Sequence, residues 1–244
     1  MRIPRLYIPE VAASGGIVTV TGQTAHHVIK VLRLRPGSAI RLFNGHGAEW
    51  DAVLLESNRS EIRLEVCSPV EAIAASSLSI TVAQGIARND RMDFILQKSV
   101  ELGVSSIQPL WMQRCQSRLR NERLEKRMQH WRGVIINACE QCGRSTLAEL
   151  YNPENYTGWL SKQNPSALGL MLQPESTQVL NDHPPQGRDI VVLVGPEGGL
   201  TTEEQRLAEL SGFTVIRLGQ RILRTETAAV SALARMHTLW GDFQ

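Results

Sequence analysis

The sequence predicts an α/β protein in two parts: a small N-terminal β-barrel and a larger domain with a parallel sheet. Short β-prone runs separated by turn-forming residues fill residues 1–67, whereas strands alternate with helices from Leu78 onward. Short strands at this spacing are typical of a small barrel, and alternating strands and helices are typical of a parallel sheet covered on both faces. Residues 68–77 are weakly patterned, so we predict domains over 1–72 and 73–244.

Four β-prone runs and one helix define the N-terminal part. The runs cover residues 17–20, 39–43, 49–55 and 61–66. Turn signals separate them at Gly15-Gly16, Pro36-Gly37 and Asn44-Gly45. Between the first two runs, the segment AHHVIKVLRLR has apolar residues at positions 28, 29, 31, 32 and 34, which predicts one short helix.

Five strands and four helices alternate in the larger part. The strands are predicted over 78–86, 106–112, 167–172, 189–194 and 214–218, and the helices over 90–103, 121–142, 201–210 and 226–240. Thr201 and Thr202 are typical of a helix start, and Glu203 and Glu204 suit the positive end of the helix dipole.

Composition favours a cytoplasmic protein that is neither secreted nor embedded in a membrane. The chain is 42% hydrophobic and 20% charged, and no apolar run reaches the roughly 18 residues of a membrane span. Pro4, Arg5 and Pro9 interrupt the N-terminal segment, which therefore lacks the apolar core of a signal peptide. Cys139 and Cys142 form a C-x-x-C pair inside a helical pattern. Since no further zinc ligands accompany the pair, we expect two ordinary helix residues and no metal site.

Basic residues are concentrated in two segments, although the formal net charge is only +2. Residues 1–41 carry six Lys and Arg residues against one acid, residues 111–132 carry seven against two, and residues 42–72 between them are acidic. Such segments indicate an anionic partner such as nucleic acid, but a solvated helix face has the same composition. Charge alone leaves both interpretations open.

Candidate ligand-binding segments follow three predicted strands: MLQPE (171–175), VGPEGGLTTEE (194–204) and LGQRILRTETA (218–228). In parallel α/β sheets, ligands bind at the carboxyl ends of strands. Gly195, Gly198 and Gly199 allow a tight turn and close approach of backbone N–H groups to a ligand, although a plain strand-to-helix turn has the same pattern. The segment matches neither the triphosphate loop nor the dinucleotide fingerprint, so those ligands are disfavoured.

The segment 218–228 places two arginines before the last helix. Thr225 is expected to cap that helix and Glu226 to lie in its first turn. Arg221 and Arg224 are harder to explain in this way, because cations are unfavourable at a helix N-terminus. Their position indicates an anionic partner or full exposure to solvent.

The runs VGPEGGLTTEE and LGQRILRTETAAVSAL resemble the RsmE family of 16S rRNA uridine-N3 methyltransferases. The resemblance continues through RMDFILQKSVELGV, the strand with Pro109, the following Arg114 and the helix end ACEQCGR, and HHVIKVLRLRPG resembles the family's N-terminal domain. It spans essentially the whole chain, with Cys139 and Cys142 as the visible departure. It implies a PUA-like small β-barrel followed by a SPOUT-type α/β domain whose C-terminal trefoil knot forms the cofactor site.

The resemblance also implies a cofactor and a substrate. Backbone groups of the three strand-end segments would hold S-adenosylmethionine, and the substrate would be 16S rRNA within the small ribosomal subunit. Together with the apolar closing helix, it predicts a homodimer. The residues that match the family's cofactor site are Leu172, Gln173, Gly195, Glu197, Gly198, Gly199, Leu218, Gly219, Ile222, Leu223 and Thr227.

Methylation at N3 of uridine requires loss of the N3 proton, which leaves negative charge on the base. A cationic group directed at that charge lowers the barrier, so Arg224 is the catalytic candidate. Glu226 is an alternative as a base, although its helix-start position favours capping. We expect RNA contacts from Arg2, Arg5, Lys30, Arg33, Arg35, Arg114 and Arg221.

Two other classes of protein stay open. The basic N-terminal part argues against a methyltransferase of small molecules, and the intact glycine-rich segment argues against a non-catalytic RNA-binding factor.

Overall fold

The structure, a computed structural model, describes residues 3–11, 15–115 and 121–243. It divides the chain into two compact units. The first comprises Met1–Ala75 and Cys139–Leu147, and the second comprises Ser76–Ala138 and Ala148–Gln244. The first unit thus includes a distant segment that the predicted boundary between residues 72 and 73 did not anticipate.

The first unit is built on a five-stranded sheet with the order β1-β3-β4-β5-β2. Its strands are β1 (Arg5–Tyr7), β2 (Ile17–Thr21), β3 (Ala39–Phe43), β4 (Glu49–Ser57) and β5 (Glu61–Val70). The short strand β1 pairs parallel with β3, and the other neighbouring strands pair antiparallel. The four predicted strands are therefore confirmed. β1 was not predicted, because three residues near Pro4 and Pro9 give no readable alternation.

Alternation of side chains accounts for the core of this unit. In β4, Ala52 and Leu54 are buried, and they pair with Val66 and Leu64 of β5. Because successive side chains of a strand point to opposite faces, these residues place one apolar face on the inside. The predicted short helix is present but begins and ends earlier: α1 (Gly22–His26) continues into a π-helical turn over His27–Val31.

The second unit contains a seven-stranded parallel sheet. Six strands follow the order β12-β10-β11-β6-β7-β8, and β9 also pairs with β7. The strands are β6 (Ser79–Gly85), β7 (Ser106–Trp111), β8 (Glu149–Leu150), β9 (Glu154–Asn155), β10 (Leu168–Leu172), β11 (Asp189–Val194) and β12 (Thr214–Ile216). The helices are α2 (Asn89–Glu101), α3 (Glu122–Cys142), α4 (Tyr156–Leu160), α5 (Thr202–Leu210) and α6 (Thr225–Trp240), and a 3₁₀ turn covers Leu180–Asp182.

The strand order of this sheet brings the candidate ligand-binding segments together. β10 lies between β11 and β12 and pairs parallel with both. Since parallel strands end at the same edge of a sheet, the segments that follow these three strands share one edge. The parallel α/β architecture is therefore confirmed, whereas the trefoil knot stays a prediction of the resemblance.

Several boundaries differ from the sequence prediction. The last strand stops at Ile216 instead of residue 218, and α6 begins at Thr225 with Arg224 as its N-cap residue. The expectation that Thr225 caps this helix is wrong, because its side chain bonds to another segment of the chain. The short elements β8, β9 and α4 were not predicted, since runs of two to five residues carry no clear periodicity.

None of the helices in the described ranges is long and apolar enough to cross a membrane.

Candidate cofactor and RNA site

A cavity of about 580 Å³ lies where the segments after β10, β11 and β12 meet. This volume falls within the range of ligand sites for small molecules. The cavity is lined by every residue that matches the family's cofactor site except Thr227: Leu172, Gln173, Gly195, Glu197, Gly198, Gly199, Leu218, Gly219, Ile222 and Leu223. Thr227 is exposed on the first turn of α6 and lies outside the lining, whereas Thr225 and Ala228 contribute to it. The assignment of Thr227 to the cofactor site stays a prediction of the resemblance.

The segment after β11 turns tightly because glycine is required there by space and by conformation. A Cβ atom on Gly195 would lie 2.8 Å from Leu200 Cδ1, and one on Gly198 would lie 3.0 Å from Arg114 Cβ. Gly199 has a φ of +70°, which L side chains rarely adopt. Its N–H donates to the carbonyl of Pro196 at 2.8 Å and closes the turn.

Arg114 and Glu204 hold this turn from outside. Arg114 Nη1 donates to the carbonyls of Gly198 at 2.7 Å and Leu200 at 3.2 Å. The buried Glu204 carboxylate accepts from Gln113 N at 2.8 Å and completes a capping box with Thr201, the N-cap of α5. The predicted start of α5 is thus confirmed. Arg114 lines the cavity as well, but these bonds assign it a support function that the sequence analysis did not foresee.

Arg91 is a cavity residue that the sequence analysis missed. It lies in α2, and its guanidinium approaches Glu197 at 3.5 Å and Glu226 at 4.0 Å. Glu197 also accepts from the backbone N–H of Arg88 at 2.9 Å, which joins the glycine turn to the start of α2. The only signal was indirect: α2 follows β6, whose carboxyl end lies beside that of β11. Glu226 faces Arg91 and is not among the residues that line the cavity.

Arg221 and Arg224 line the same cavity from the segment after β12. Both residues are exposed, and neither forms an ion pair with any residue that the structure describes. These two guanidinium groups, which have no ion-pair partner among the described residues, add positive charge to the cavity lining. That charge suits an anionic ligand or an anionic transition state.

Polar and apolar groups around the cavity fit a ligand of mixed character. Gln173 Nε2 is buried and has no hydrogen-bond partner among the described residues. An unpaired buried donor is unfavourable unless a ligand or water accepts its hydrogen bond. Ile222 is 82% exposed although it lies at the cavity, so an apolar surface is also available there. These features fit the amphipathic S-adenosylmethionine that the resemblance implies.

The predicted RNA contacts of the N-terminal part separate into two groups. Lys30, Arg33 and Arg35 are exposed around the π-helical turn, and Arg33 adopts a φ of 52°, which is uncommon for a residue other than glycine. Arg5 does not fit the predicted RNA contact, because its buried guanidinium pairs with Glu49 at 2.9 Å and donates to the carbonyl of Arg144. Arg2 lies outside the described residues.

In the described ranges, no cluster of three or more His, Cys, Asp and Glu side chains is arranged to hold a metal ion. Cys139 is buried, and its Sγ donates to the carbonyl of Thr146 at 3.9 Å.

Comparison with known proteins agrees with this site. A family model described as "RNA methyltransferase domain" matches residues 74–237, and one described as "RNA methyltransferase PUA domain" matches residues 20–67. The fold and the site therefore define an RNA methyltransferase with a PUA domain.

The following relatives indicate to which family of RNA methyltransferases the chain belongs. "Ribosomal RNA small subunit methyltransferase E" of Buchnera aphidicola (subsp. Schizaphis graminum) is 32% identical over 99% of this chain and 98% of its own length. The enzyme of that name from Neisseria gonorrhoeae, crystallised with S-adenosyl methionine, is 40% identical with a TM-score of 0.93 over the whole of both chains. A methyltransferase of Legionella pneumophila in complex with SAM is 37% identical with a TM-score of 0.96, again over both whole chains. The chain belongs to the ribosomal RNA small subunit methyltransferase E family.

Proposed function

We propose that this protein transfers a methyl group from S-adenosylmethionine to N3 of one uridine in 16S rRNA of the small ribosomal subunit. The observation that carries the proposal is the convergence of three strand-end segments on one cavity, in a chain whose relatives are crystallised with the methyl donor. The resemblance of the motifs to the RsmE family supplies the uridine N3 specificity. With this substrate, we expect the protein to act in the bacterial cytoplasm.

The cofactor would be held by the glycine turn and by the segments after β10 and β12. When bound, it supplies an electrophilic methyl group to the reacting nitrogen. Gly195, Gly198 and Gly199 keep side chains out of the space next to the turn, and Gln173 Nε2 offers an unused donor. Arg114 and Glu204 fix the turn before any ligand arrives, which reduces the entropy lost on binding.

Arg224 would act on the substrate base. As N3 loses its proton, negative charge spreads over N3, O2 and O4, and a fixed cation next to that charge stabilises the transition state. N3 lies on the pairing edge of the base, so the uridine must be unpaired or flipped out to reach the cavity. Arg221, three residues earlier at the same mouth, is suited to the phosphate of the displaced nucleotide.

The exposed basic residues of the first unit would bind RNA. Lys30, Arg33 and Arg35 have no ion-pair partner among the described residues, so their charge is free for phosphates. Phosphate contacts of this kind contribute affinity that decreases steeply with salt and carries little sequence information. The protein would act as a homodimer, in keeping with the family resemblance.

The experiment separates the two sets of arginines by single-turnover methylation of small subunits from a strain that lacks the enzyme. Arg224→Ala should lower the rate at saturating RNA by about 10²–10³, the usual effect of losing a charge-stabilising donor. Arg33→Ala combined with Arg35→Ala should leave that rate near normal. It should weaken RNA binding and reduce the slope of log affinity against log salt by about two.

Two results would contradict the proposal. A near-normal single-turnover rate for a folded Arg224→Ala variant removes this residue from catalysis. Methyl groups found by nucleoside mass spectrometry on any atom other than uridine N3 overturn the functional assignment. Turnover on small molecules without RNA would favour the rival class of methyltransferase.

A further inference from the structure

A buried polar cluster of Gln84, Gly195 and Thr225 lies next to the cavity. The Gln84 side chain is fully buried, and its Nε2 donates to Thr225 Oγ1 at 2.9 Å and to the carbonyl of Gly195 at 3.3 Å. The Thr225 hydroxyl donates to the same Gly195 carbonyl at 2.6 Å. Gln84 Oε1 is buried and has no hydrogen-bond partner among the described residues. A partly satisfied buried network is unfavourable for stability, and such exceptions concentrate at functional sites.

The cluster joins three segments that are distant in sequence. Gln84 lies near the end of β6, in register with Val194 of β11. Gly195 begins the glycine turn, and Thr225 is the first residue of α6. The Thr225 hydroxyl is therefore used for a bond between segments, although this residue type usually bonds within its own helix start.

Arg224 directly precedes Thr225, the residue that these bonds hold. It is the N-cap of α6, where no side chain caps the helix, and its carbonyl accepts from Ala228 N at 2.8 Å. Its guanidinium has no ion-pair partner among the described residues. The backbone at positions 224 and 225 therefore sets the position of the Arg224 Cα atom. The Thr225 hydroxyl bonds that backbone to the glycine turn.

We propose that Gln84 and Thr225 are positioning residues that set the place of Arg224 relative to the methyl donor bound at the glycine turn. The inference rests on the proposed function, because it assigns Thr225 an effect that operates through Arg224. Displacement of a catalytic group by about 1 Å reduces rates by about 10²-fold, so a single lost hydrogen bond at this point is measurable.

The test is a double-mutant cycle on the full chain, read by single-turnover methylation of small subunits. Thr225→Val removes the hydroxyl and keeps the branched shape, and it should lower the rate by about 10- to 100-fold. Thr225→Ser keeps the hydroxyl and should restore the rate to within about threefold of the starting protein. In an Arg224→Ala background, Thr225→Val should change the rate by no more than about twofold, because the group that it positions is absent.

The dissociation constant of S-adenosylmethionine, measured by calorimetry, separates positioning from a general defect of the site. Because Thr225 itself lines the cavity, Thr225→Val should weaken cofactor binding somewhat, but by a much smaller factor than it lowers the rate. A loss of cofactor affinity as large as the loss of rate would overturn the inference, and so would an equal rate effect with and without Arg224. Gln84→Met provides a second variant if Thr225→Val does not fold, and it should show the same dependence on Arg224.

Failure of the proposed function gives a different pattern. It would appear in the starting protein as methylation elsewhere, or in Arg224→Ala as an unchanged rate. Failure of the positioning inference would appear only in the Thr225 and Gln84 variants, with the Arg224→Ala defect intact.

Discussion

Glycines of the cavity differ in what they contribute, and the difference decides which substitution is informative. Gly199 has a φ of +70°, so any side chain there strains the backbone and disturbs the turn itself. Gly219 also lines the cavity, but a Cβ atom on it would meet nothing within 4 Å and its φ is not in the left-handed region. A substitution at Gly219 therefore changes the free space with little effect on the fold.

We predict that Gly219→Val weakens binding of S-adenosylmethionine at least tenfold, about 1.4 kcal/mol, because the new side chain occupies space beside the cavity. Isothermal calorimetry measures the affinity, and thermal unfolding checks that the melting temperature is unchanged. Gly187→Val is the matched control, since a Cβ atom on Gly187 is equally free of contacts and this residue does not line the cavity. Equal affinities for the two variants would show that this segment does not border the cofactor.

At the scale of elements, the end of α3 shows that sequence periodicity predicts a helix but not its contacts with distant segments. The helix was predicted from its apolar pattern, and it begins one residue later than expected because Asn121 has a φ of +50°. The membership of its last turn in the first unit was not predictable. Leu147 N donates to the carbonyl of Gly45, and Gly47 N donates to the carbonyl of Ser145. Such pairings join segments about 100 residues apart and depend on three-dimensional fit alone.

Glu140 lies in this last turn and accepts from Tyr7 N at 3.0 Å. Burial raises the pKa of its carboxyl above the ordinary value of 4.5, and the Tyr7 N–H, His27 and Arg5 oppose that rise. A raised pKa means that the folded state binds the proton more tightly than the unfolded state. The free energy of unfolding therefore decreases as pH rises from the ordinary value of 4.5 through the folded pKa, and the loss is complete above the folded pKa.

We predict that Glu140→Gln raises the melting temperature at pH 8 relative to the starting protein, because it keeps an oxygen acceptor for Tyr7 and removes the buried charge. The difference should shrink as pH falls toward 4.5, where the natural carboxyl becomes protonated. Thermal unfolding across this pH range measures it, with the exposed Glu209→Gln as control. A difference that is constant with pH would contradict the assigned charge effect.

At the scale of the molecule, the sequence predicts which segments form the candidate site, but it does not predict every residue that surrounds the site. The segments with Gly195 and Arg224 were recognisable because glycine turns and misplaced cations stand out against helix and strand patterns. Arg91 and Gln84 were not, since one is an ordinary arginine on a helix and the other an ordinary polar residue in a strand. Their contacts are with residues that are more than 100 positions away in sequence.

The closing helix α6 leaves part of its apolar surface exposed. Leu233 and Met236 are fully buried against the second unit, but Leu239 on the same helix is 39% exposed. A two-fold interface that packs this helix against its copy would bury such exposed apolar surface, and stable interfaces typically cover about 800 Å² on each partner.

We therefore predict that light scattering at micromolar concentration reports twice the mass of one chain. Leu239→Glu should shift the protein to the mass of one chain, because it places a charge in the contact. Leu210→Glu on α5 is the matched control: Leu210 is 71% exposed but lies on another helix, and the dimer should persist. A monomeric starting protein, or equal effects of the two substitutions, would rule out α6 as the interface.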